Sequence, residues 1–290
     1  MAGIPIAQVI TPDRATGAQV IDGGLKFDGG QYLSRTPSST GDRQTWTWSF
    51  WTKRTKFGGT EALFGAYTDA NNRFYPNFNT DNKIAAFGKT GGTTKINVLT
   101  DSVFRDIGWY HVLIVLDTTE SAASDKLKYY INGNIQDTTV TTTPTDDIYF
   151  NLASVEHRIG DLDGTVEYDG FMSQCYFVDG QALAPSEFGF TDPLTNTWKP
   201  KKYDGTFGTN GFWLPMDGNS PIGQDKSGNG NDWTPVNFGG SVALDNPQVS
   251  GARPILNTSP GGTAAGVDVF GSKENKFYTV TTANGSVYQF

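Results

Sequence analysis

Residues 108–133 read GWYHVLIVLDTTESAASDKLKYYING, and apolar residues recur at every second position in two of their segments. The recurring residues are Val112, Ile114 and Leu116 in the first segment and Leu127, Tyr129 and Ile131 in the second. Successive side chains of a β-strand point to opposite faces, so this spacing of β-branched and aromatic residues predicts two strands. The Asn132-Gly133 pair supplies positive φ angles, which predicts a tight hairpin turn after the second strand.

The same alternation occurs in residues 45–52, TWTWSFWT. Trp46, Trp48 and Phe50 have the spacing of one buried sheet face, so we expect a core strand, with an aromatic platform for sugar as the alternative. Further short strands are expected between Asp-, Asn- and Gly-rich turns, at residues 62–67, 73–78, 83–87, 95–99, 157–160 and 168–178. Because no amphipathic helical stretch is present, the sequence predicts an all-β fold.

Composition narrows the class of protein. A chain of 290 residues has room for one large β domain and an extension, and 35 glycines indicate many turns. The formal charge of −8 argues against a partner nucleic acid held by a basic surface. No run of 18 apolar residues is present, so we expect no membrane insertion.

The cysteine and histidine residues are few. Cys175 is the single cysteine, which excludes an intrachain disulfide and a cysteine-based zinc site, and its apolar surroundings predict a buried thiol. His111 lies inside a strand and is expected to be a hydrogen-bonded core or edge histidine, whereas His157 precedes a strand and is expected at the surface. The N-terminal residues lack the charged start and long apolar run of a signal peptide.

Three blocks of the sequence, in order, resemble the LamG-type concanavalin A-like sandwich. The Trp-x-His strand and Asn-Gly hairpin of residues 108–133 resemble its centre, and LKFDGG at residues 25–30 resembles its entry. Residues 168–189, YDGFMSQCYFVDGQALAPSEFG, resemble its last strand and exit turn, with Pro185 opening a single helical turn. The resemblance implies an antiparallel jelly-roll β-sandwich over residues 24–240.

The segment of residues 211–238 resembles the opening strand of such a module, although it follows the closing strand here. Either it completes the same sandwich or it begins a second module; we favour completion, because first and last strands of this fold are sheet neighbours. Residues 1–23 are expected to form an N-terminal arm. Residues 241–290 are expected to form a linker and a hairpin extension with Asn284-Gly285 at its turn.

Residues 178–189 and 198–212 resemble a segment that follows LamG-like domains in structural proteins of tailed phages, especially marine ones. This implies a non-enzymatic virion component, in a fibre, a tail or on the capsid surface, which is made in the host cytoplasm and contacts other virion proteins. The arm and the extension carry too little apolar periodicity for a core of their own. We therefore expect a homo-oligomer, with a trimer first by analogy to phage fibres.

A carbohydrate-binding lectin module, inside or outside a virion, is the alternative function. Exposed aromatic rings stack on sugar faces while Asp and Asn side chains bind hydroxyl groups, and host-surface carbohydrate is the expected ligand. The candidate glycan-binding residues are Tyr67, Tyr75, Trp213 and Trp233, although packing is the favoured interpretation of each aromatic ring.

Calcium is a further expectation, because many proteins of this type hold Ca²⁺ on the sandwich rim through oxygen ligands. The candidate ligands are Asp69 and Asn71 in one turn and Asp161 and Asp163 in another. The same residue pattern is also common in solvated turns that bind no metal.

A glycoside hydrolase is the least favoured function. Laminarinase-type members carry Glu-x-Asp-x-x-Glu on one strand, and here Glu167 and Asp169 fill the first two positions, whereas Met172 takes the third. Two carboxylates about 5 Å apart would suit a retaining mechanism. We nevertheless expect no enzymatic activity, since the third carboxylate is missing.

Overall fold

The segments with period-two alternation assemble into two antiparallel sheets packed face to face, which confirms the predicted β-sandwich. The computed structural model describes residues 18–19, 21, 23–216, 220–238, 279–281 and 287–289. Within these ranges the helical elements are single 3₁₀ turns at Ala123–Asp125 and Pro185–Glu187, the second of which opens on Pro185 as predicted. No helix in this part of the chain is long and apolar enough to cross a membrane.

The first sheet has seven strands, in the order β1-β14-β3-β9-β10-β11 with β17 also paired to β14. The strands are β1 Leu25–Asp28, β3 Thr45–Arg54, β9 Tyr110–Asp117, β10 Leu127–Ile131, β11 Asn134–Ile135, β14 Asp169–Asp179 and β17 Phe212–Leu214.

The second sheet has nine strands, in the order β12-β8-β7-β6-β5-β13-β2-β18 with β4 paired to β6. The strands are β2 Tyr32–Arg35, β4 Glu61–Ala62, β5 Phe64–Asp69, β6 Asn72–Phe78, β7 Ile84–Thr90, β8 Thr93–Thr100, β12 Thr138–Thr142, β13 His157–Ile159 and β18 Thr234–Val236.

Two further pairs of strands form separate ribbons. One joins β15, Gly189–Asp192, to β16, Thr197–Pro200, and the other joins β19, Thr279–Thr281, to β20, Val287–Gln289. The Asn284-Gly285 turn predicted for the C-terminal hairpin lies outside the described residues, as do residues 1–17 of the predicted arm.

The hairpin that ends at Asn132-Gly133 is present as predicted. Strand β10 pairs antiparallel with β9, and Asn132 and Gly133 have φ angles of 49° and 79° in the turn to β11. Both angles are positive, as a two-residue hairpin turn that matches the strand twist requires.

The core lies between the two sheets and is rich in aromatic rings. Trp46, Trp48 and Phe50 are at most 1% exposed, so the core interpretation of residues 45–52 is confirmed and the sugar platform is wrong for these three rings. Cys175 is also fully buried, as expected. Burying each such large side chain stabilises the fold by about 1.5–3 kcal/mol.

The segment 211–238 contributes one strand to each sheet. Strand β17 pairs with β14 in the seven-stranded sheet, and β18 pairs with β2 in the nine-stranded sheet. Between them Phe212 and Trp233 enter the core, with ring centroids 5.0 Å apart.

A second apolar layer covers part of the outer face of the seven-stranded sheet. Outward-facing residues of β9 and β14 pack there against residues from the segment 181–213. The buried members are Leu113, Val115, Tyr176, Val178, Phe188, Tyr203 and Phe207. A Cβ at Gly211 would lie 1.8 Å from the carbonyl oxygen of Phe207, so the close chain contact in this layer requires glycine.

Both histidines are buried, which confirms the expectation for His111 and shows that the surface position predicted for His157 is wrong. His157 is 3% exposed, its Nε2 accepts a hydrogen bond from the Asn151 backbone N–H at 3.0 Å, and its Nδ1–H donates to the Val155 carbonyl. Sequence alternation alone did not show that this strand, β13, is central in its sheet. Burial lowers the pKa of His157 to about 4 and that of His111 to about 3.

The depressed pKa of His157 predicts acid destabilisation. The stability that the neutral His157 side chain contributes is fully present above the unfolded pKa of about 6.5 and is lost as pH falls toward 4. The loss amounts to about 2 kcal/mol at pH 4.5. In His157→Gln the amide oxygen still accepts from Asn151, but the group no longer titrates. We expect the stability gap between wild type and variant to shrink by about 2 kcal/mol between pH 7 and 4.5 in urea titrations. Parallel pH profiles would contradict this assignment.

Candidate functional site

The outer face of the nine-stranded sheet carries a row of neighbouring residues that crosses six strands. Strand register places Arg158 opposite both Ser34 and Gly65, and Phe87 opposite both Tyr75 and Asn97. Gly65 adjoins Tyr75, since a Cβ at Gly65 would lie 2.9 Å from the Tyr75 Cβ. We call this row, Ser34, Arg158, Gly65, Tyr75, Phe87 and Asn97, the transverse row.

One half of the transverse row is aromatic. The Tyr75 and Phe87 rings meet edge to face with centroids 6.0 Å apart. The Arg73 guanidinium lies 5.5 Å from the Phe87 centroid, and Tyr67 is the cross-strand partner of Arg73. All four side chains are half-buried, so their packed edges fix them while their outer surfaces face solvent.

The other half is charged and hydrogen-bonded. The Arg158 guanidinium donates to one Glu156 oxygen from Nε and Nη2, at 3.0 and 2.8 Å, and to Asp161 at 2.6 Å. It also stacks 4.4 Å from the centroid of Tyr32. The Ser34 hydroxyl donates to the second Glu156 oxygen at 2.6 Å. These mutual contacts hold the polar groups in fixed positions.

Gly65 lies between the two halves and is buried. The Leu162 side chain covers it, since a Cβ at Gly65 would lie 3.0 Å from that side chain. Burial raises the pKa of Tyr75; the charge of Asp163 adds to this, whereas Arg73 opposes it. The Tyr75 phenol therefore remains a neutral donor beside carboxylates and a guanidinium. Rings next to fixed planar polar groups suit a ligand that has both C–H faces and hydroxyl groups.

The four predicted glycan-binding aromatics do not form one site. Tyr67 and Tyr75 lie on this outer face, but Trp213 lies on the outer face of the other sheet, stacked on Tyr176 at 5.5 Å. Trp233 is 4% exposed and packs against Phe212 in the core. The prediction for Trp233 is wrong, because its ring is enclosed between the sheets and cannot meet a ligand.

The calcium candidates lie in two separate turns. Asp69 accepts hydrogen bonds from the backbone N–H groups of Asn71 and Asn72, at 2.7 and 3.0 Å. Asp161 pairs with Arg158 and also accepts from the Gly164 N–H, whereas Asp163 accepts from Thr165. The described ranges contain no group of three or more His, Cys, Asp or Glu residues placed to hold a metal ion. Calcium binding stays a prediction.

The carboxylate pair considered for hydrolysis is divided between a loop and a strand. Asp169 is the first residue of β14 and accepts a hydrogen bond from the Thr55 hydroxyl, while Glu167 precedes the strand and lies against Gly29. Met172, at the third position of the motif, is fully buried in the core. A carboxylate at position 172 would therefore point into the core and not toward a cleft.

The sequence interpretation missed four residues of this face: Arg73, Phe87, Asn97 and Arg158. Each occupies an outward position of an alternating strand, which was a usable signal. Their proximity depends on pairing between strands far apart in sequence, such as β13 with β5, and alternation within a strand does not define it.

Comparison with known proteins agrees with the architecture. Residues 27–187 match the family model Laminin_G_3, described as the concanavalin A-like lectin/glucanases superfamily. No curated protein matches the sequence.

Solved structures that are similar to this chain share little sequence with it. A candidate carbohydrate binding protein from Bacteroides ovatus ATCC 8483 has a TM-score of 0.51 and 15% identity, covering 74% of this chain and 58% of its own. A heptameric SAP-like pentraxin from Limulus polyphemus has a TM-score of 0.42 and 16% identity, and the match covers 58% of this chain and 80% of the pentraxin. The Ruminococcus gnavus IT-sialidase CBM40 bound to alpha2,3 sialyllactose has a TM-score of 0.40 and 14% identity, and the match covers 52% of this chain and 87% of the CBM40 chain.

Proposed function

The chain belongs to the concanavalin A-like lectin/glucanase superfamily, and from this premise we propose that it is a non-catalytic carbohydrate-binding domain whose ligand lies along the transverse row. The observation that carries the proposal is the cross-strand sequence of Arg158, Gly65, Tyr75 and Phe87 on one solvent-facing sheet surface. It combines aromatic surface with prepositioned polar groups.

The two halves of the row have complementary tasks in this proposal. Tyr75 and Phe87 contact the C–H face of one sugar ring, while Arg158, Glu156 and Ser34 bind hydroxyl groups of the next ring. Neighbouring strands lie about 4.8 Å apart, so Arg158 is about 10 Å from Tyr75, a distance that a disaccharide spans. Because the polar side chains are already bonded to one another, little side-chain entropy is lost on binding.

Truncating Tyr75 tests the site. In Tyr75→Ala we expect affinity for a glycan that binds the wild-type chain on an array to fall by at least about tenfold, since the aromatic contact surface is lost. Phe171→Ala is the matched control, because Phe171 is a half-buried aromatic residue on the outer face of the other sheet. Isothermal titration of both variants measures the difference. Equal affinities in the two variants, or an array without any bound glycan, would rule the site out.

A role in a tailed-phage particle is the second proposed function. It is supported by the resemblance of residues 178–189 and 198–212 to phage structural proteins, and these residues help to build the added layer on the seven-stranded sheet. That layer would face other virion proteins, with a trimer as the proposed assembly, and leave the transverse row free for host-surface carbohydrate. Mass spectrometry of purified particles tests this role, and absence of the chain from them would refute it.

A further inference from the structure

A cleft of about 690 Å³ opens on the outer side of the seven-stranded sheet, on the opposite side of the sandwich from the transverse row. Its walls are the hairpin turn after β10 and the β15–β16 ribbon. The residues that matter for its chemistry are Gly133, Pro185, Ser186, Thr191, Trp198 and Lys201. The volume lies in the range of small-molecule sites. Since the family match ends at residue 187, most residues that line this cleft lie outside the match.

Trp198 forms a fixed aromatic wall. A Cβ at Gly133 or at Gly189 would lie 2.4 Å from its ring, so only glycine allows the indole to sit between these two chain segments. The indole N–H donates to His111 Nδ1 at 3.1 Å, and the two rings stack with centroids 5.8 Å apart. His111 Nε2 is in turn hydrogen-bonded to the Ser49 hydroxyl at 2.8 Å. The ring is therefore held before any ligand arrives.

The polar groups of the cleft are cationic and neutral. The Lys201 ammonium donates to the Ser186 carbonyl at 3.0 Å and has further N–H donors to offer. The Ser186 and Thr191 side chains are exposed at the cleft. No carboxylate is among the lining residues, which is notable in a chain with a net charge of −8.

We propose that this cleft binds a carboxylate-bearing sugar. Its carboxylate pairs with Lys201, its ring lies against Trp198, and its hydroxyl groups bond to Ser186 and Thr191. The transverse row, by contrast, is bordered by the carboxylates of Glu156, Asp161 and Asp163, which disfavour an acidic ligand. The proposal is independent of the function proposed for that row, because the two sites lie on opposite sides of the sandwich.

The test is a titration of the full chain with trigalacturonate and with its uncharged trimethyl ester, followed by backbone amide shifts. We expect shifts at residues 186–201 and affinity at least about tenfold higher for the acid. Lys201→Gln should lower affinity for the acid by about tenfold. Lys202→Gln is the control, because the Lys202 ammonium lies over the Trp213 ring at 4.8 Å and is not part of the cleft lining. It should change affinity less than about twofold.

Several results would overturn the proposal. They are equal affinity of the acid and its ester, equal effects of the two lysine variants, or shifts absent from the cleft. Binding of a hexaglutamate peptide there without binding of trigalacturonate would instead identify a docking site for an acidic protein segment. Tyr75→Ala should leave trigalacturonate binding unchanged, so this test and that of the transverse row can fail separately. Equal thermal melting of both lysine variants confirms that they fold.

Discussion

Replacing Asp179 with alanine is expected to lower the free energy of unfolding by about 4 kcal/mol. One carboxylate oxygen accepts hydrogen bonds from the Asp42 N–H at 2.8 Å and from Asn151 Nδ2 at 2.6 Å. The other accepts from the Asn210 N–H at 2.9 Å. Asp179 is 6% exposed, so the variant removes the acceptor of two buried donors, Asn151 Nδ2 and the Asn210 N–H, and of the part-buried Asp42 N–H. Each buried donor left unpaired costs about 1–3 kcal/mol.

Urea unfolding of a graded series measures this loss. Asp179→Asn keeps one acceptor oxygen but turns an N–H₂ group toward a donor, so its stability should lie between wild type and Asp179→Ala. Asp117→Ala is the control, since Asp117 accepts only from the exposed turn at Thr119 and should cost less than about 1 kcal/mol. A loss in Asp179→Ala no greater than in the control would contradict the network described for this end of the sandwich.

Removing Glu61 is expected to cost about 3–5 kcal/mol, because it leaves a buried, unpaired guanidinium. Arg54 Nε lies 3.2 Å from Glu61 Oε2, and both side chains are 0% exposed. The guanidinium also lies 4.1 Å from the Phe78 ring centroid. Arginine cannot lose its proton in this environment, so Glu61→Leu should destabilise the fold at every pH.

Removing Arg54 should have a different signature. Burial raises the pKa of Glu61 to about 7 even beside Arg54, so a carboxyl left alone takes up a proton. Because the folded-state pKa of Glu61 is raised, its contribution to stability is full below the unfolded pKa of about 4.5. That contribution is lost as pH rises through the folded-state pKa. We therefore expect Arg54→Met to be less destabilised at pH 5 than at pH 8 in urea titrations.

Replacing Arg54 and Glu61 together distinguishes the contribution of their charge pairing from that of side-chain packing. Arg54 Nη2 and Glu61 Oε1 are enclosed without a hydrogen-bond partner among the described residues, so the pair is incompletely satisfied. Replacing both residues by apolar ones of similar size should bring stability within about 1 kcal/mol of wild type. A double variant as unstable as Glu61→Leu alone would show that the charged pair itself is needed.

Period-two alternation predicted most of this sandwich because each strand buries one face. It placed Trp46, Trp48 and Phe50 in the core, and the Asn132-Gly133 turn followed from backbone geometry. Strands with weaker alternation were missed. The β15–β16 ribbon contacts the outer face of the seven-stranded sheet through Trp198, which stacks on His111, and a local sequence pattern does not contain such a long-range contact.

The candidate site was less predictable than the fold. Tyr67 and Tyr75 were identified as candidate glycan-binding aromatics, but their partners Phe87 and Arg158 come from strands that only the sheet register brings together. Trp233 was predicted to contact a glycan, yet its ring lies in the core although its neighbours in sequence are polar Asn and Asp residues. Composition near a residue does not decide which side of a sheet it occupies.

Carbohydrate binding at the transverse row is tested by a backbone amide titration of the full chain with the neutral oligosaccharide that binds best on a glycan array. We expect the largest shifts to cluster at Gly65, Tyr75, Phe87, Asn97 and Arg158, and Tyr75→Ala to remove them. Shifts confined to the opposite side of the sandwich, or no shifts at millimolar oligosaccharide, would contradict it.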